Sequence, residues 1–177
     1  FQAQPETAPA PAGKALVLDL SGRGPVPLEY GTWKSDKPDP RAAIRVDAGI
    51  AGPDHQKGLR ITYDISQEAE GARAFAGIWI KPSKPLDLAP WERIVLIVKA
   101  DQPGSDFYIQ LKSDQGRQSA QIAATGAAEK WQRIVAPLSS FTGIQDRSQV
   151  EEINISFDPA VTKALGGNFE LAEIRFE

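Results

Sequence analysis

The 177-residue chain has no cysteine, so it can build neither a disulfide framework nor a thiolate metal site. Its one histidine, His55, lies in the turn-like stretch Gly52-Pro53-Asp54-His55-Gln56-Lys57-Gly58. A lone imidazole cannot make the usual zinc site, and a serine nucleophile would want a histidine base. No pair of acids stands at a spacing that marks acid/base work on a glycoside, and no glycine-rich phosphate loop opens a helix; Gly166-Gly167 reads as a turn before the last strand. The chain is therefore read as a non-enzyme. No apolar run approaches the roughly 20 residues a membrane helix needs. Lys and Arg number 20 against 23 Asp and Glu, for a net charge of -3, which gives no basic field to attract nucleic acid. Neutral molecules or proteins are the expected partners. Methionine is absent too, and the chain begins at Phe1; removal of an upstream signal peptide is the preferred explanation, and an exported, periplasmic or extracellular protein the expectation.

What the chain does contain is turns and alternation. Fifteen Gly and 14 Pro at an ordinary hydrophobic fraction of 41% favour a turn-rich all-β domain. Residues 1–13, rich in Pro and Ala with one charge, read as a linker or an extended arm, and residues 14–177 as a single domain. Strand candidates recur at 15–20, 43–46, 59–65, 75–81, 93–100, 106–112, 118–123, 131–136, 150–158 and 169–176. The stretch Ser21 to Pro40 reads as loop, because Gly22, Gly24, Pro25, Pro27, Pro38 and Pro40 punctuate it; Trp33 within it either plugs that loop or rims a cleft. Helix is confined to short turns at 86–91 and 159–165. The run RIVLIVKA at 93–100 is apolar on both faces, as a central strand requires. The two runs flanking Ser113-Asp114-Gln115-Gly116 form a hairpin. Trp131, leading the segment KWQRIVAPLSSF, is expected in the core, with Trp91 as a packing plug.

This order of elements resembles the galactose-binding-like jelly-roll β-sandwiches, and in particular the non-catalytic carbohydrate-binding modules attached to bacterial glycoside hydrolases. The landmarks are Phe75-Ala76-Gly77, RIVLIVKA, KWQRIVAPLSSF and the closing Asn168-Phe169-Glu170-Leu171-Ala172-Glu173-Ile174-Arg175-Phe176. A weaker similarity is to the complex I intermediate-associated family, whose Met-Gly-Gly segment has no counterpart here. The resemblance implies an antiparallel sandwich of two sheets, one face of which carries aromatic rings beside hydrogen-bonding groups; a sugar's C–H face stacks on the rings while polar neighbours fix its orientation. By alternation the residues for that face are Trp79, Tyr108, Gln110, Lys112, Asn154 and Ser156, from three strands, with Lys81 and Asp158 on the same parity. The same polar pattern also fits any half-solvated sheet, and Trp79 and Tyr108 have the alternative of a loop-covered position. The ligand is then a glycan or polysaccharide. The alternative is an exported assembly subunit docked on a larger protein complex. Sandwiches of this kind also hold a structural Ca2+ between the first and last strands, for which Asp19, Glu170 and Glu173 match by position.

Overall fold

The computed structural model describes residues 2–6, 14–21, 26–35, 42–53, 57–66 and 73–177. His55 lies outside the described residues. Twelve strands occur among them: β1 (Gln2–Glu6), β2 (Leu16–Leu18), β3 (Leu28–Lys34), β4 (Ala43–Ala51), β5 (Lys57–Asp64), β6 (Ala76–Pro82), β7 (Arg93–Ala100), β8 (Phe107–Ser113), β9 (Gln118–Ala124), β10 (Gln132–Pro137), β11 (Val150–Phe157) and β12 (Gly166–Phe176). One sheet runs β3-β6-β11-β8-β9 and the other β10-β7-β12-β5-β4, with β2 continuing the place of β5 along the second half of β12. Apart from the short β1–β9 contact, the pairings are antiparallel. The two sheets pack face to face as a jelly-roll sandwich.

Period-2 alternation decides which side chains meet between the sheets. From β5, Leu59, Ile61 and Tyr63 point inward; from β7, Ile94, Leu96 and Val98; from β8, Phe107, Ile109 and Leu111; from β11, Ile153, Ile155 and Phe157. The rings interlock in the middle. Tyr63 stacks on Phe157 at 3.9 Å and 5°, and Phe169 meets Phe157 and Phe107 edge-on at 5.4 and 4.8 Å. Burial pushes the Tyr63 phenol up to about 12, and its hydroxyl donates to the Ala164 carbonyl at 2.9 Å. The β8–β9 hairpin forms as the turn signal implies, and Asp114, Gln115 and Gly116 all take positive φ.

Three expectations change. Leu28–Lys34 is a strand, not loop: no proline falls between Pro27 and Pro38, and Leu28, Tyr30 and Thr32 pair with β6. Trp131 is not in the core. Parity along β10 sends Ile134 and Ala136 inward and Trp131 to the opposite side with Arg133, where the Lys99 ammonium lies 5.8 Å from its ring. The segments 86–91 and 159–165 form single hydrogen-bonded turns and no helix: the Trp91 N–H donates to the Leu88 carbonyl at 3.2 Å and the Thr162 N–H to the Asp158 carbonyl at 2.7 Å, while Leu86 bridges Val150 and 3-10 turns stand at Leu138–Ser140 and Arg147–Gln149. Trp91 packs against the core as expected.

Residues 2–6 pair within the chain. Gln2 and Ala3 lie parallel to β9, and Gln4 to Glu6 antiparallel to β10. This one short strand therefore bridges the two sheets along one side of the sandwich, with the Ala3 side chain fully buried.

Candidate functional site

The outer face of the β3-β6-β11-β8-β9 sheet is ordered in three rows running across the strands. Strand register sets them. The first row is Trp33, Gly77, Ser156, Tyr108 and Ala123; the second is Gly31, Trp79, Asn154, Gln110 and Gln121; the third carries Glu29 and Lys81 from β3 and β6, then Glu152, Lys112 and Ser119. All six candidate ligand residues from β6, β8 and β11 thus share one face. Strands are about 4.8 Å apart, so Trp33 and Tyr108, three strands apart, bracket a stretch of roughly 14 Å.

The tryptophans are placed by glycines. Trp33 faces Gly77 across the β3–β6 ladder and Trp79 faces Gly31. A Cβ added at Gly31 would lie 2.5 Å from Trp79 Cζ2, and one at Gly77 would lie 2.6 Å from Trp33 Cζ2. Each indole therefore lies flat over the glycine of the opposing strand, which has no side chain to lift it. Phe75, 37% exposed, extends the aromatic strip and meets Trp33 edge-on at 5.8 Å.

Polar groups anchor this strip from beneath. Trp33 Nε1 donates to Asn154 Oδ1 at 3.2 Å, and Asn154 Nδ2 donates to Glu152 Oε1 at 2.8 Å. Lys112 Nζ reaches Glu152 Oε1 at 2.7 Å and Lys81 Nζ reaches Oε2 at 2.9 Å; the Lys81 ammonium also lies 5.3 Å from the Trp79 ring, within cation-π range. Burial pushes the Glu152 carboxyl up, but the hydrogen bonds from Lys112, Asn154 and Lys81 outweigh it and hold the group below the usual carboxylate range. Asn154, 2% exposed, is buried under the strip, with both ends of its amide engaged. Ser156 is buried in the small-residue floor beside Gly77, while Trp79, Tyr108, Gln110 and Lys112 remain half-buried and open to the surface.

Two members of this face, Trp33 and Glu152, were not among the ligand residues read from the sequence, although Trp33 stood there as either a loop plug or the rim of a cleft. Trp33 was hidden in the apparent loop, although Gly31-Thr32-Trp33 repeats the Gly-x-Trp of Gly77-Ile78-Trp79. Glu152 has the outward parity of Asn154 and Ser156, and only the strand order reveals its two lysines.

The carboxylates expected to hold Ca2+ lie elsewhere. Glu170, on the outer face of the second sheet, accepts from Arg60 at 2.7 Å and Lys99 at 3.2 Å; these bonds outweigh the upward push of burial and lower its pKa. Glu173 pairs with Arg175, and Asp19 Oδ1 accepts from the Ser21 N–H at 2.8 Å. Ca2+ takes about six to eight oxygens, and Glu170 is turned to two cations. Among the described residues no group of three or more metal-ligating side chains comes together.

No protein-family profile and no curated protein sequence matches the chain. Solved structures do. A family 11 carbohydrate-binding module from Clostridium thermocellum, in complex with a β-1,3-1,4-mixed-linked tetrasaccharide, superposes with a TM-score of 0.69 at 16% identity over 92% of this chain and 94% of that one. The family 11 module of a cellulosomal cellulase of Clostridium thermocellum gives 0.67 at 19%, over 93% and 95%. A family 30 carbohydrate-binding module from a cellulosomal cellulase of that organism gives 0.62 at 15%, over 92% and 97%. At these identities the likeness is one of fold: this chain has the jelly-roll sandwich of the carbohydrate-binding modules.

Proposed function

We propose that this chain is a non-catalytic carbohydrate-binding domain of an exported protein, holding a glycan across the face formed by β3, β6, β11, β8 and β9. The observation that carries the reading is the pair of indoles laid flat over Gly31 and Gly77, side by side with half-buried Tyr108, Gln110 and Lys112. Flat rings offer apolar contact to the C–H face of a sugar, and the amide and ammonium groups beside them hydrogen-bond its hydroxyls.

The mixed-linkage oligosaccharide bound by the family 11 module makes mixed-linkage β-glucan the first probe, with xylan, cellulose and peptidoglycan beside it. Affinity electrophoresis of the wild type is expected to show retardation by at least one of these. The Trp79→Ala variant is expected to migrate unretarded while keeping its unfolding transition, a loss of tenfold or more in affinity, or about 1.4 kcal/mol. Equal retardation of wild type and variant, or none across the panel, contradicts the reading.

A further inference from the structure

Glu152 divides its carboxylate between two ammonium groups carried by the strands on either side of β11, Lys112 on β8 at Oε1 and Lys81 on β6 at Oε2. Its side chain is 11% exposed, while those of Lys81 and Lys112 are 51% and 33% exposed. The lysines border a depression of about 590 Å³ at the end of the aromatic strip, beside the Gln115–Gly116 turn. Glu151 lines it as well: a bulge between Val150 and Glu152 turns Glu151 toward that turn, where its Oε2 accepts from the Gln115 N–H at 3.0 Å. Two cations and two anions thus border one opening, and each carboxylate already has a donor.

A sugar carboxylate entering here would compete with Glu152 for both ammonium groups and approach two glutamates. A protonated amino sugar would meet two ammonium groups whose acceptors are taken. A hydroxyl both donates and accepts and carries no charge to be repelled. Resting on the carbohydrate-binding reading above, we infer that Glu152 is a specificity-determining residue: by neutralising Lys81 and Lys112 it restricts this end of the face to uncharged glycans and turns away uronic-acid and amino-sugar chains.

The test compares the wild type with Glu152→Gln and Lys81→Gln, each folded by near-ultraviolet circular dichroism, on immobilised neutral glycans (mixed-linkage β-glucan, xylan and cellulose), polygalacturonate and chitosan. The wild type is expected to hold a neutral glycan and neither charged polymer. Glu152→Gln leaves two ammonium groups against the one remaining carboxylate, Glu151, and is expected to gain roughly tenfold in affinity for polygalacturonate, a gain erased at high salt. Lys81→Gln, at a half-exposed position that folding tolerates, tips the balance the other way and is expected to gain for chitosan by a similar factor. Retention of polygalacturonate by the wild type as strong as that of the neutral glycan overturns the inference and leaves the carbohydrate reading standing. So does an unchanged charge preference in both variants. If no polymer is held by any of the three proteins, the carbohydrate reading fails and the inference with it.

Discussion

Gly31 and Gly77 do the same job for opposite indoles, but their surroundings differ. The three nearest atoms to a new Cβ at Gly31 all belong to the Trp79 ring, whereas at Gly77 the Ile155 carbonyl also lies 2.7 Å away. Gly31→Ala is therefore expected to tilt Trp79 and weaken glycan retention at a stability cost under about 1 kcal/mol. Gly77→Ala is expected to cost about 1–3 kcal/mol, because a strand backbone must move as well as a ring. Thermal unfolding beside affinity electrophoresis separates the two. The carboxylates set a second expectation. Glu152 and Glu170 both have lowered pKa values in the fold, so as pH falls the unfolded chain takes up their protons first. Their contribution to stability is full above the ordinary carboxylate range and is lost as pH drops through the lowered values. Melting temperatures from about pH 7 to about pH 3 are expected to fall on the acid side, less steeply in a Glu152→Gln, Glu170→Gln double variant; parallel curves for the two proteins contradict this.

At the scale of the strand, β1 is the element whose removal is most informative. It covers edges of both β9 and β10, and an uncovered edge is a template for other chains. Truncating residues 1–6 is expected to cost about 2 kcal/mol, or roughly 4–8 °C in Tm, and to promote association on gel filtration; an unchanged Tm would mean that β1 contributes no stability. Alternation was legible in the sequence wherever a strand is half-covered: 59–65, 106–112 and 150–157 read correctly because one side of each had to be apolar. Parity also put Trp79, Tyr108 and Asn154 on outward positions. What parity cannot supply is the order of strands in a sheet, so the pairing of Lys81 and Lys112 through Glu152 was invisible. Trp33 was left between loop plug and cleft rim because glycines and prolines on both sides of β3 mask an edge strand whose half-buried alternation is weak. Trp131 was misjudged because a tryptophan at the start of an apolar strand looks like core, while the parity of Ile134 and Ala136 already excluded it.

The sandwich as a whole is asymmetric in its two outer faces. The β3-β6-β11-β8-β9 sheet presents rings over a hydrogen-bonded floor, whereas the other sheet presents ion pairs: Arg60 and Lys99 on Glu170, and Arg133 and Arg175 on Glu177. What this second face lacks among the described residues is a pair of rings laid over glycines; the indole it carries is Trp131, beside Lys99. Trp131→Phe is accordingly expected to leave retention by glycans within twofold of wild type, measured on the same gels as Trp79→Ala.

The four tryptophans are themselves the most direct reporters of which face binds. Indole Nε1–H resonances, assigned by single Trp→Phe variants, are to be followed by NMR while a mixed-linkage β-glucan tetrasaccharide, or the neutral glycan that retards the protein most, is added. Saturable shifts of Trp33 and Trp79, with Trp91 and Trp131 unmoved, are the expected result; shifts confined to Trp131 or Trp91, or no shift in any of the four, contradict the account.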